Sequence, residues 1–255
     1  FNVSNYWKKL IGQSKALKKM KVYDEKLKIE NEFRVWVESN ENNKIKYGNV
    51  LESLKESYER NKKIALNRTY LTETIFQGSE ILSFSYTMKN RINSIAKNGE
   101  ERTEDIRKLK KIAKEFYKNY NAKVDQKVLA AMLEMYYYNV PKAQHASVFK
   151  KIENQLFGIK KLDFNYYSKS IFNRSYFSSQ EKCLNFLKNP SKSLIEKDPA
   201  YVLFNSIYQK YLNEIYPTRK NIRDKMRKGN RLFVAGLKEM DTTKTFYPDA
   251  NSTMR

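Results

Sequence analysis

Apolar residues along this chain recur at three- and four-residue intervals far more often than at two, which is the signature of amphipathic helices rather than strands. Between residues 4 and 39, Trp7, Leu10, Ile11, Leu17, Met20 and Leu27 make a slowly drifting apolar stripe with lysines between them. That pattern predicts one long or once-broken helix, reaching ~50 Å at 1.5 Å per residue. The stretch 40–43, Asn-Glu-Asn-Asn, reads as a connector. A second helix is expected over 47–67, with Val50, Leu54, Tyr58 and Ala65 at core spacing. A third is expected over 69–97, carried by Ile81, Phe84, Met88, Ile92 and Ile95. Gly78 lies inside it and costs ~1 kcal/mol against Ala, so a kink or a close helix contact is expected there. Asn98-Gly99 marks its end. Short connectors between these three predict that they run antiparallel in a bundle.

Thr103 is a good N-cap, and Glu104 and Asp105 behind it complement the helix dipole. The helix it opens has Ile106, Leu109, Ala113, Phe116 and Tyr120 as its buried face. Asp125 is expected to cap the next helix, which Val140-Pro141 ends near Asn139. A shorter helix to Phe157 closes on Gly158 in the left-handed position. Residues 159–178 are aromatic and irregular, with one short helix at 164–172. Ser179 starts a helix through Cys183 and Leu187. Asp198-Pro199 places an N-cap before a proline at the first helical position, a strong start signal. That helix runs to Tyr216-Pro217, and a last one spans 218–240. No strand, fixed-period repeat or low-complexity tract is visible. The fold class is all-α, a multi-helix bundle with long antiparallel helices.

Composition sharpens this picture. Only 7 Gly and 5 Pro in 255 residues leave few turns and long elements, while 19 Tyr and 14 Phe supply bulky packing material. The formal charge of +22 makes a field felt by anionic partners, screened over ~8 Å at physiological salt. An AT-rich coding bias toward Lys, Asn, Ile and Tyr is a competing account of the charge, and an acidic host surface or acidic substrates balancing it is a further one. A single cysteine excludes an internal disulfide. No run reaches the ~18 apolar residues of a membrane span.

Recognisable chemistry is sparse. His145 is the sole imidazole, set in Ala-Gln-His-Ala without a nucleophile elbow nearby, and reads as a surface histidine at a helix start. Cys183 lies among Leu184, Phe186 and Leu187 and reads as a small core hydrophobe. Neither a HExxH, CxxC nor EF-hand spacing occurs, and the glycines are too far apart for a phosphate-binding loop. Neither a metal nor a cofactor is expected. The most functional-looking feature is the run Arg219, Lys220, Arg223, Lys225, Arg227, Lys228 and Arg231, broken by Asp224. Arg219, Arg223, Arg227 and Arg231 are four apart, so they line one helical face suited to anionic groups or to an interdomain contact. A solvated face is the plainer reading, and nucleic-acid binding is the alternative function. Tyr136-Tyr137-Tyr138 and the group Phe164, Tyr166 and Tyr167 read as core packing with at least one exposed ring, the alternative being a peptide or base-stacking groove.

The last ten residues, 246–255, leave the helix at Pro248 and read as the opening of an extended segment. The chain opens on Phe1, and both ends read as excision points of an insert. YPDANSTMR at 247–255, with NRLFVAGLKEM at 230–240 and VSNYWKK at 3–9, resembles the bacterial dipeptidyl-peptidase 7/11 family of serine exopeptidases. The resemblance implies a larger two-domain enzyme. Residues 1–245 would be an α-helical cap inserted in a chymotrypsin-like β-barrel domain, and 246–255 the start of the return into that barrel. It implies an oligopeptide substrate from which dipeptides are released at the N-terminus. It also implies a homodimer at the periplasm or cell surface of a bacterium, with nucleic acid an unlikely partner by kinship. The family's Ser-His-Asp triad has no matching position here, so no catalytic residue is assigned and the fragment alone is expected to be inactive. An insert also implies that Phe1 and Arg255 emerge close together.

Overall fold

The computed structural model describes residues 2–155 and 162–245. Among them every regular element is a helix: α1 (Asn2–Lys19), α2 (Val22–Glu38), α3 (Glu41–Tyr47), α4 (Val50–Leu71), α5 (Glu80–Asn93), α6 (Gly99–Tyr117) and α7 (Ala122–Asn139) come first. They are followed by α8 (Ser147–Gln155), α9 (Phe164–Arg174), α10 (Gln180–Phe186), α11 (Lys192–Ile195), α12 (Pro199–Lys210) and α13 (Tyr216–Met240). Two π-turns, Thr72–Gly78 and Tyr211–Ile215, follow α4 and α12. The expected Gly158 cap, the tail 246–255 and the nearness of Phe1 to Arg255 lie outside the described residues.

The all-α class is borne out, with several boundaries moved. The first long helix breaks at Met20-Lys21, where Lys21 takes a left-handed backbone (φ 51°), uncommon for a residue with a Cβ. The expected connector at 40–43 is instead a cap and a helix start: Asn40 Oδ1 accepts from the backbone N–H of Asn42 at 2.8 Å, opening α3. The second helix does not stop at Asn67 but runs through Leu71 into a π-turn that ends at Gly78. A Cβ at Gly78 would stand 2.1 Å from the Glu73 carbonyl oxygen and 3.2 Å from Met132 Cγ, so only glycine fits. The close contact expected there is present, and in place of a kink the helix is interrupted at Ser79, whose backbone is extended (φ −97°, ψ 112°). Asn98 stands at an N-cap rather than an ending, and α6 starts at Gly99, ahead of Thr103. No break occurs at Pro217. The π-turn just before it adds a residue to the helical path, which accommodates a proline ring that would otherwise clash with the preceding turn.

The chain divides into two compact units, Phe1–Asn61 with Asn221–Arg255, and Lys62–Lys220. The first three expected helices are thereby shared between units instead of forming one bundle. The smaller unit is cored by Phe33 and Val37 of α2, Tyr47 of α3, and Val50 and Leu54 of α4. Leu232, Phe233 and Met240 of α13 pack against them. Gly229 and Gly236 let α13 approach closely, since a Cβ on either would meet Leu54 or Phe33 under 3 Å away. In the larger unit α7 packs along α9 and α12 along α5. Its core gathers Ile75, Ile81, Met88, Leu129, Leu133, Phe177, Leu203 and Phe204, all fully buried. Of the expected period, Ile81, Phe84, Met88 and Ile92 are buried, while Ile95 is half-buried and lies beyond the end of α5 at Asn93. Tyr58 is exposed, and so are Trp7, Leu10, Leu17, Met20 and Leu27 of the first stripe.

Candidate functional site

The four arginines singled out by their spacing all fall on α13. Four residues turn a helix by about 400°, so each step drifts about 40°. Arg219 and Arg223 are consequently half-buried while Arg227 and Arg231 are exposed. Arg223 Nε is buried without a hydrogen-bond partner. Arg227 and Arg231, with Asp224 and Asn230, line an open surface depression of 480 Å³ in the smaller unit. None of the four arginines is in an ion pair among the described residues. The exposed pair can meet a carboxylate or phosphate, but Asp224 beside it lowers the local field. No ring stands among them to stack a base.

A larger cavity of 700 Å³ opens in the larger unit, where the start of α8 faces α12. Lys142, Lys150, Lys151 and Lys210 surround it opposite Glu153, Glu196 and Glu214, so its walls carry both signs. Lys210 is paired with Glu214. His145 also lines the cavity, in the extended link just before α8. Its Nε2 lies 2.8 Å from the Val140 carbonyl, which makes Nε2 the donor in that bond. The imidazole packs against Tyr137 and Phe149 at 5.1 and 5.0 Å between centroids. Ser147 Oγ pairs with Ser206 Oγ at 3.2 Å, and Ser206 Oγ also accepts from the Val148 N–H, so these hydroxyls cap α8 rather than meet the imidazole. Tyr137 donates to Glu153 at 2.5 Å, and that bond, with burial, pushes the phenol up to about 12.

Two fully buried carboxylates stand out from the rest of the polar residues. Asp198 caps its own helix as expected, accepting from Ala200 N (2.9 Å) and Tyr201 N (3.3 Å). It also accepts from Tyr176 N (2.7 Å) and Ser175 Oγ (3.0 Å). Asp125 departs from expectation. Asn121 caps α7, and Asp125, one turn inside, reaches across to α5 and accepts from Glu80 N (3.0 Å) and Ile81 N (2.7 Å). Tyr120 Oη donates to it as well, at 3.0 Å. Burial raises both carboxyls above the usual range, opposed by these donors. With their lone pairs taken by N–H and O–H groups, both act as structural pins rather than proton carriers.

Cys183 is fully buried, and its thiol is pushed up to about 12 by burial. At pH 8 about one thiol in ten thousand would be ionised. Ellman's reagent should therefore leave it unlabelled in the native chain and react fully in denaturant; prompt labelling of the native chain would contradict this placement. The two aromatic groups do come together. Tyr137 and Tyr138 pack on Phe164 at 5.7 and 6.5 Å, so the rings fill the α7–α9 contact instead of lining a groove, with Tyr138 and Tyr166 exposed. Among the described residues no group of three His, Cys, Asp or Glu side chains could hold a metal, and no helix is long and apolar enough to cross a membrane.

Kinship supplies what the site does not. The family model Peptidase S46 matches residues 1–255. Dipeptidyl-peptidase 7 of Porphyromonas endodontalis is 31% identical over 255 residues, covering 99% of this chain and 30% of that protein. Dipeptidyl-peptidase 7 of Porphyromonas gingivalis is 32% identical over 262 residues, covering 99% of this chain and 34% of that protein. Among solved structures, Porphyromonas endodontalis DPP11 in complex with the dipeptide Arg-Glu matches with a TM-score of 0.69 at 19% identity, over 93% of this chain and 33% of that one. That likeness shows a shared fold. The chain spans about a third of the length of the relatives it matches. Matched along its whole length, this helical chain belongs to the Peptidase S46 family.

Proposed function

We propose that this chain is the α-helical lid of a serine dipeptidyl-peptidase that releases dipeptides from the N-terminus of oligopeptides. The lid covers the active-site cleft and gates access to it, while the Ser-His-Asp triad sits on a β-barrel domain elsewhere in the same polypeptide. One pairing of observations carries this reading: a peptidase family model matches all 255 residues, yet the sole imidazole is tied to a backbone carbonyl, and among the described residues no hydroxyl nucleophile is bonded to it. A helical body of this kind contributes water exclusion and gating rather than proton transfer. Relatives named Dipeptidyl-peptidase 7 support peptide as the substrate class. A homodimer in the periplasm or at the cell surface of a bacterium completes the proposal. A nucleic-acid role gains nothing from an arginine row that drifts around its helix without stacking rings.

The test takes the full-length enzyme, a dipeptidyl-coumarin substrate and a peptide that binds without being cleaved. Saturating peptide should slow amide exchange within residues 2–245, and the 255-residue chain alone, helical by circular dichroism, should release no coumarin. Exchange unchanged throughout 2–245, or turnover by the chain alone, would refute the lid.

A further inference from the structure

Among the described residues, α1 is amphipathic and nothing covers its apolar face. Tyr6 (64% exposed), Trp7 (64%), Leu10 (44%) and Leu17 (54%) fall within about 100° of its circumference. Scattered exposed apolar residues need no explanation, but a row with two large rings running along three turns is an interaction surface. The remaining circumference carries Lys8, Lys9, Lys15, Lys18 and Lys19, and no Asp or Glu occurs between Asn2 and Lys19.

We propose that this face of α1 is the fixed seat that fastens the helical chain to the part of its own polypeptide lying outside the matched region, in an apolar trough rimmed by carboxylates. The inference rests on the reading of the chain as a lid, and it assigns α1 to the anchored rather than the moving portion. Three observations select this occupant. The relatives carry about two thirds of their length outside the matched region, so a large intramolecular body is at hand. Five lysines with no acidic residue make two α1 helices repel, which disfavours a second copy and favours an acidic rim. Gln13 and Ser14 lie on or beside the apolar row. A protein trough can bond their polar groups, whereas hydrocarbon would leave them unpaired, which disfavours a lipid surface.

The test labels the full-length enzyme with a maleimide, read at the α1 peptide by mass spectrometry. Leu10→Cys and Leu17→Cys place thiols in the seat, while Lys15→Cys places one on the lysine side. Seat thiols should react at least ten-fold more slowly than the Lys15→Cys thiol, unaffected by ten-fold dilution or by phosphatidylglycerol-containing vesicles. Equal rates overturn the seat. Protection that dilution removes assigns the face to a second copy, and protection that appears only with vesicles assigns it to lipid; either result overturns the proposal. Hydroxyl-radical footprinting of the unsubstituted enzyme covers the case of a variant that fails to fold. Tyr6 and Trp7 should then be oxidised at least five-fold more slowly than the exposed Tyr23, and equal rates overturn the seat. Failure of the lid reading shows separately, in the peptide-dependent exchange, whether or not α1 is seated.

Discussion

Replacing Asp198 with alanine should destabilise the larger unit by about 3–5 kcal/mol, enough to unfold much of it at 37 °C. The change leaves three backbone N–H groups without their acceptor, those of Ala200 and Tyr201 buried and that of Tyr176 part-buried. Each buried unpaired donor costs about 1–3 kcal/mol, and loss of the cap itself about 1 kcal/mol more, though the penalties do not add fully. Asp198→Asn keeps one acceptor oxygen but turns an NH2 toward either Tyr176 N or the α12 donors, so a smaller loss of about 1–3 kcal/mol is expected. The sign of the pH dependence follows from burial, which raises the folded carboxyl above its unfolded value. Its contribution is fully present below about pH 3.9 and is lost as pH rises through the folded value. The stability gap between the unsubstituted chain and Asp198→Asn should therefore narrow as pH rises above about 3.9. Urea unfolding curves read both effects; Asp198→Ala within 1 kcal/mol of the unsubstituted chain would refute the pin.

Gly236→Val should dismantle the smaller unit and spare the larger. A Cβ at position 236 would stand 2.6 Å from Phe33 Cε2 and 3.4 Å from Tyr47 Cδ1. Phe33 has little room to yield, because its ring already packs against Phe233 at 4.9 Å, Trp36 at 5.7 Å and Tyr47 at 6.1 Å. Overpacking of this kind costs about 1–3 kcal/mol for modest insertions, and valine brings two further methyl groups. Among the described residues the buried apolar core of this unit is small, chiefly Phe33, Val37, Tyr47, Val50 and Leu54 with Ile222 of α13, so that loss is a large share of what holds it. Amide protection should collapse across α2 and α3 while α7, α9 and α12 keep theirs; intact protection in α2 would contradict the packing. Gly12→Ala serves as the contrast. Nothing lies within 4 Å of its Cβ position, so the helix should gain up to about 1 kcal/mol.

Features decided by a residue and its near neighbours were legible in the sequence. Asp198-Pro199 and Ser179 cap the helices they announce, Gly78 sits where the backbone crowds, and Cys183 lies in the core. What escaped was set by partners distant in sequence. Periodicity in α1 shows that one face must be covered without saying by what, so Trp7 and Leu10 read the same whether they meet their own core or another body. Asn121 and Asp125 are both good capping residues four apart, and local rules cannot tell which of them serves a helix 45 positions upstream. The arginine row at 219, 223, 227 and 231 was visible as spacing, but its drift from half-buried to exposed depends on which face of α13 meets the core. Pro217 signalled a break because the extra residue in the π-turn before it leaves no local mark.

Asp125 ties the start of one helix to the docking of another. The first turn of α5 obtains its carboxylate from α7, and Ser79 at its own N-cap makes no side-chain cap bond. α5 is therefore not an autonomous helix. Its N-terminal donors stay with water until a loop of more than forty residues has closed, so the start of α5 and the docking of α7 belong to one cooperative event on the folding route.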